Sequence, residues 1–160
     1  GSKGPRSESG AVDATSEIPA DDYVVPLGTA AVRRPGTQVT ILAWLLMAHF
    51  ALDAARQLEA DGIDAEVIDV RSLSPFDYDT IGRSVEKTGR VVIVEEGPKT
   101  GGVAAELAAG IMERFGGSLQ APVARVASPD IPVPFAPVLE NAYRPDAARI
   151  VAAVRRVMTA

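Results

Sequence analysis

Glu95 and Glu96 are the first residues whose type and placement invite chemistry. They follow a β-branched run, Val91 to Val94, and precede the turn Gly97-Pro98-Lys99-Thr100-Gly101-Gly102. Carboxylates at the C-terminal end of a buried strand stand where open α/β sheets place ligands, and a carboxylate pair can divide acid and base roles. Adjacent strand residues point to opposite faces, however, so at most one of the two faces a given crevice. The competing reading is a solvated or structural pair. The glycine turn opens onto a helix N-terminus, a favourable place for an anion. Its spacing fits neither the dinucleotide fingerprint nor a P-loop, and a tight turn that needs glycine is the competing explanation.

The single histidine, His49, has no second histidine to share a metal and no serine nucleophile motif nearby. It reads as a packed or half-exposed side chain. Asp64, Asp69 and Asp77 do not form a receiver-type phosphorylation site, because Ala43-Trp44-Leu45 stands where the acidic cluster belongs. Trp44 reads as core or interface. There is no cysteine, which excludes thiolate catalysis, disulfides and cysteine–zinc sites. No complete catalytic constellation emerges.

The elements that must position these residues form a single α/β domain over residues 23–160, preceded by a flexible linker over residues 1–22. The first 20 residues are rich in Gly, Ser, Pro and Glu, a composition that cannot offset its ordering entropy. Net charge is −5, which argues against a general nucleic-acid surface. The most apolar run, Val39 to Leu52, is interrupted by Thr40 and His49 and is shorter than the ~20 residues that span a bilayer. No secretory signal is recognisable. The chain is expected to be soluble and cytoplasmic, with no nucleic acid or membrane partner.

Strands are expected at Ala30–Arg34, Val39–Trp44, Ala65–Arg71, Arg90–Glu95 and Val123–Ala127. The turn Arg33-Arg34-Pro35-Gly36 is expected to let the first strand pair antiparallel with the next. A helix is expected from Met47 to Ala60, with Ala48, Ala51, Leu52, Ala55 and Leu58 as its apolar stripe. At 100° per residue Phe50 falls opposite that stripe, beside Asp53 and Gln57, and is either partner-facing or a single exposed aromatic. Asp77 is expected to cap a helix running to Thr88, and Asp146 a final helix. Another helix follows Gly102, with Val103, Ala104, Leu107, Ala108, Ile111, Met112 and Phe115 at helical spacing. The prolines at 129, 132, 134 and 137 exclude regular helix or central strand between them. A short helical piece is expected around Val138 to Ala142.

The order of these pieces resembles the C-terminal domain of transketolase-like enzymes. More closely it resembles the β subunit of the thiamine-dependent decarboxylase component of 2-oxo acid dehydrogenase complexes (pyruvate, branched-chain or acetoin type). The matching segments include Val25-Pro26-Leu27-Gly28, Ala65-Glu66-Val67-Ile68-Asp69-Val70-Arg71-Ser72-Leu73, Glu95-Glu96-Gly97-Pro98-Lys99-Thr100-Gly101-Gly102 and Pro129-Asp130-Ile131-Pro132-Val133-Pro134-Phe135-Ala136.

This resemblance implies a three-layer α/β/α sandwich. Its five-stranded, mostly parallel sheet has strand order one-three-two-four-five, with the first strand antiparallel. It places Trp44-Leu45 and Glu95–Gly97, with Gly101 and Gly102, around a switch-point crevice. It implies that thiamine diphosphate and magnesium belong to the parent enzyme, outside this chain, which is expected to bind no cofactor or metal and to be inert alone. The implied partners are a second copy, an α subunit and the acyltransferase component's subunit-binding domain. Phe135, Pro137 and Glu140 are the candidate docking residues. The alternatives are the matching domain of a transketolase or deoxyxylulose-phosphate synthase relative, or a stand-alone or engineered oligomerisation module. One departure stands out. The family usually carries a Tyr-Gly pair after the second strand, where this chain has Trp44-Leu45-Leu46-Met47, with Phe50 close behind. The four residues Trp44 to Met47 are expected to fill the crevice or form a new interface, and Phe50 is a candidate interface residue with them.

Overall fold

The computed structural model describes residue 20 and residues 22–160. The expected linker, apart from Ala20 and Asp22, lies outside the described residues. In chain order the elements are β1 (Ala31–Arg34), β2 (Val39–Ala43), α1 (Leu46–Glu59), β3 (Ala65–Asp69), α2 (Tyr78–Thr88), β4 (Val91–Pro98), α3 (Val103–Phe115), a single 3₁₀ turn (Gly116–Ser118), β5 (Ala124–Ser128), α4 (Pro137–Tyr143) and α5 (Ala147–Met158).

The five strands form one sheet in the order β1-β3-β2-β4-β5. β1 runs antiparallel to β3, and the other pairings are parallel. β2, buried at every residue, reads Val-Thr-Ile-Leu-Ala, as a strand covered on both faces should. One apolar cluster joins Ile41, Val67, Val92 and Val94 to α1 and α5. The other joins Leu42, Ile68, Val91 and Ile93 to α2 and α3. Alternate strand residues thus feed opposite cores, and helices layer both faces. Within the second face, Thr40 sits at a buried hydroxyl node 2.6 Å from Ser84 Oγ and 2.8 Å from Thr88 Oγ1.

Local capping follows the sequence. The Asp77 carboxylate accepts from Thr80 N at 3.0 Å and from Ala30 N at 2.9 Å, fastening α2 to the entry of β1. Burial works against its ionisation, but these two amides hold its pKa below the ordinary value. Asp146 accepts from Arg149 N and caps α5. Gly89 ends α2 in the left-handed conformation.

Three expectations need correction. β1 pairs with β3, not with β2. Its exit turn crosses the start of β3: Gly36 N donates to Glu66 Oε2, Gln38 N to Asp64 O, and Arg34 to Ala65 O. β4 runs on through Gly97 to Pro98, so only Lys99 to Gly102 form the turn. Phe50 is buried rather than solvent-facing. α1 packs against both the sheet and α5, so its buried arc is wider than one stripe and takes in Met47, Phe50 and Ala54. In α3, by contrast, Val103 and Met112 stand exposed.

Candidate functional site

The expected site residues lie at the C-terminal edge of the parallel strands, in two groups. Glu95 ends the buried part of β4 and is 2% exposed. Its Oε2 accepts from Ala104 N at 3.2 Å, so the carboxylate caps α3 from the preceding strand. α3 has no cap from its own N-terminal residue, Gly102. Glu95 Oε1 has no partner among the described residues. Burial pushes the Glu95 pKa up, opposed by the amides of Ala104 and Val103 and by the charge of Arg125. Glu96 is half-buried. Glu95 is therefore committed to α3, with Gly97 and Gly102 leaving room for its carboxylate, while Gly101 supplies a positive φ in the turn.

The second group, at the end of β2, divides between core and surface. Trp44 and Met47 are buried, Leu46 packs partly against the core, and Leu45 is 76% exposed. The interface expected of Trp44, Leu45, Leu46, Met47 and Phe50 together thus reduces, on this chain's surface, to Leu45 and the open side of Leu46. Leu45 carries φ 52°, ψ −134°, and Met47 N donates to Trp44 O at 3.1 Å. That is a type II′ turn with leucine at the first central position, where glycine is the usual residue. An L side chain held there costs about 1–3 kcal/mol. Leu45→Gly relieves it with little loss of burial, and is expected to raise stability by about 1 kcal/mol after the entropic cost of glycine. A urea midpoint that stays put or falls counts against strain at this turn.

A cavity of about 560 Å³ opens beside this turn, between the ends of β2 and β3. Trp44, Leu45, Leu46 and His49 line one wall, and Asp69, Arg71 and Leu73 the other. It lies one strand away from the expected β2–β4 crevice, and none of Glu95 to Gly102 reaches it. Sequence reasoning set His49 aside and gave Arg71 and Leu73 no role. No local signal marks Arg71, whose backbone is left-handed at φ 56°. Among the described residues, no three His, Cys, Asp or Glu side chains gather as metal ligands would.

A third feature is the proline segment. Phe135 is 102% exposed and Val138 is 80% exposed, with Ile131, Val133 and Leu139 also open to solvent. Pro137 begins α4, and Glu140 is half-buried on it. The segment is braced at both ends. Asp130 accepts from Thr100 N at 2.9 Å and Thr100 Oγ1 at 2.7 Å, bonds that lower its pKa. Arg149 donates to the carbonyls of Ala142, Tyr143 and Arg144, closing the C-terminus of α4.

Strand order β1-β3-β2-β4-β5 with an antiparallel edge, sheathed by α1 and α5 on one face and α2 and α3 on the other, defines a three-layer α/β/α sandwich of the doubly wound class. The sequence model of the transketolase C-terminal domain matches residues 28–150; the chain belongs to that family.

Among curated relatives, it is 44% identical over 142 residues to the β subunit of acetoin:2,6-dichlorophenolindophenol oxidoreductase of Cupriavidus necator, covering 89% of this chain and 42% of that one. It is 44% identical to the 2-oxoisovalerate dehydrogenase β subunit of Bacillus subtilis, covering 88% and 43%. It is 48% identical to the chloroplastic pyruvate dehydrogenase E1 component subunit beta-2 of Arabidopsis thaliana, covering 88% and 35%. The chain spans well under half the length of these relatives. A solved structure described as a split-gene transketolase, inactive β4 tetramer, superposes with TM-score 0.78 at 34% identity, covering 92% of this chain and 48% of that one. Among the described residues, no helix is long and apolar enough to cross a membrane.

Proposed function

We propose that this chain is the C-terminal assembly and docking domain of the β subunit of a 2-oxo acid dehydrogenase complex, without catalytic activity of its own. The parent reaction is thiamine-dependent oxidative decarboxylation of a 2-oxo acid, with acyl transfer to lipoyl groups. The β-subunit relatives at 44–48% identity support the parent assignment. The split-gene transketolase at 34% identity favours a transketolase relative as the second reading.

The observation that carries the docking role is the braced apolar face of Ile131, Val133, Phe135, Val138 and Leu139. Water-exposed phenylalanine, valine and leucine on a segment held at both ends leave less backbone ordering to oppose binding when a partner covers them. Pro137 fixes the start of α4, and Glu140 offers a carboxylate at the rim to a basic partner surface. The occupants of this reading are a second copy, the α subunit or the acyltransferase component's subunit-binding domain.

The test is a calorimetric titration of that subunit-binding domain into the chain. Saturable binding is expected. Phe135→Ser with Val138→Ser is expected to weaken it by about a hundredfold, with the thermal midpoint unmoved because both side chains are exposed. Undiminished affinity in the double variant removes this face from the docking role.

A further inference from the structure

We propose that the cavity between the ends of β2 and β3 is a binding site for a small organic carboxylate with an aliphatic tail. This goes beyond the docking role and does not depend on the parent reaction. Trp44, Leu46 and Leu73 give the cavity an apolar lining, suited to a hydrocarbon tail of a few carbons. At about 560 Å³ it falls within the range of small-molecule sites, which are mostly apolar with a few converging polar groups.

One arginine, one histidine and one aspartate complete the lining. Arg71 and His49 belong to that lining, and neither side chain makes a hydrogen bond or ion pair with another described residue. The one carboxylate in the lining, Asp69, is engaged: its Oδ1 accepts from Arg71 N at 3.2 Å. The unspent guanidinium fork matches a carboxylate, which accepts two parallel N–H bonds from it.

The backbone singles out the same place. Leu45 and Arg71 are the two non-glycine residues with positive φ among the described residues, at 52° and 56°. They end neighbouring strands, and both line this cavity. Such conformations gather where a chain shapes a binding surface. Leu45 borders the cavity just past the end of β2, and Arg71 borders it just past the end of β3.

Trp44, the only tryptophan in the chain, is a built-in reporter. The 160-residue chain is titrated with 4-methylpentanoate and, separately, with its uncharged isostere 4-methylpentanamide, while Trp44 emission is followed. A saturable change with the acid is expected, and about tenfold weaker binding of the amide. Arg71→Gln is expected to bring the acid down to the level of the amide and leave amide binding unchanged, which separates loss of the charge contact from loss of the fold. Leu73→Asp is expected to weaken both ligands.

Equal affinity for acid and amide overturns the proposal. So does an unaltered acid response in Arg71→Gln, or no saturable change with either ligand. Light scattering at the same concentrations completes the test. A dimer that Arg71→Gln or Leu73→Asp dissociates, with no acid response, identifies a second copy as the occupant and likewise overturns the proposal.

Discussion

Gly102→Ala is expected to cost about 3 kcal/mol or more of folding stability, a large share of a typical domain's total. A β-carbon at Gly102 meets Glu95 Oε1 at 2.3 Å and the Pro98 carbonyl oxygen at 2.4 Å. The φ of −71° at this position suits any residue, so the cost is steric rather than conformational. The Glu95 carboxylate that caps α3 is therefore held by a wall only glycine can supply. Gly102→Ala combined with Glu95→Ala is expected to recover part of the loss, because one of the two obstructing atoms is gone while the Pro98 carbonyl remains. A single variant as stable as the wild type by chemical denaturation contradicts this packing.

The same carboxylate makes stability depend on pH in a defined direction. Burial raises its folded-state pKa above the unfolded value, so the folded chain binds this proton more tightly. The group's contribution is most favourable below the unfolded pKa and is lost as pH rises through the folded one. Glu95→Gln keeps an acceptor for the α3 amides and removes the titration. The stability of the variant relative to wild type is expected to rise with pH across that window. A difference that stays flat with pH shows that Glu95 does not carry this linkage.

Gly36→Ala is the second large effect, expected at about 3 kcal/mol or more. Its β-carbon would meet Ala65 C and Glu66 N, each at 2.3 Å. Both are backbone atoms of β3, so no side-chain rotation relieves the clash. The turn leaving β1 must press against the start of β3 to reach β2 on its far side. Pushing it outward also strips the Gly36 N donor from Glu66, a buried carboxylate whose other partner is Lys87 Nζ at 2.5 Å. Amide hydrogen exchange is expected to show β1 and the first residues of β3 opening together in the variant, with β4 and β5 protected. Uniform protection across the sheet contradicts the role given to this crossing.

How much of this was legible in the sequence depends on which physics each feature rests on. β2, the core of β4, and the caps at Asp77 and Asp146 are local matters of apolar runs and short-range side-chain acceptors, and they could be read directly. The strand order with its antiparallel edge came from family resemblance. The local turn signal at Arg33 to Gly36 pointed to the wrong neighbour. A turn motif reports that the chain reverses, not which strand it meets, and the reversal here passes over β3.

Phe50 was misplaced for a related reason. A 100° wheel drawn on one stripe does not know that α5 covers a second side of α1. Arg71 and Leu73 could not have been found, because their place beside Trp44 depends on parallel registration of β2 with β3 and on a left-handed arginine that nothing in its neighbours encodes. Glu95 was found as a residue at a strand end, but its commitment to capping α3 appears only when the glycine turn brings Ala104 N back to it.

The most direct test of the central reading is the rate of 2-oxo acid decarboxylation, measured with thiamine diphosphate and magnesium. It is measured for this chain alone, and for the Bacillus subtilis 2-oxoisovalerate dehydrogenase β subunit with its matching region replaced by residues 28–150 and supplied with its α subunit. The account predicts no turnover from the chain alone and restored turnover from the chimera. Turnover by the isolated 160-residue chain, or an assembled chimera that stays inactive, would contradict it.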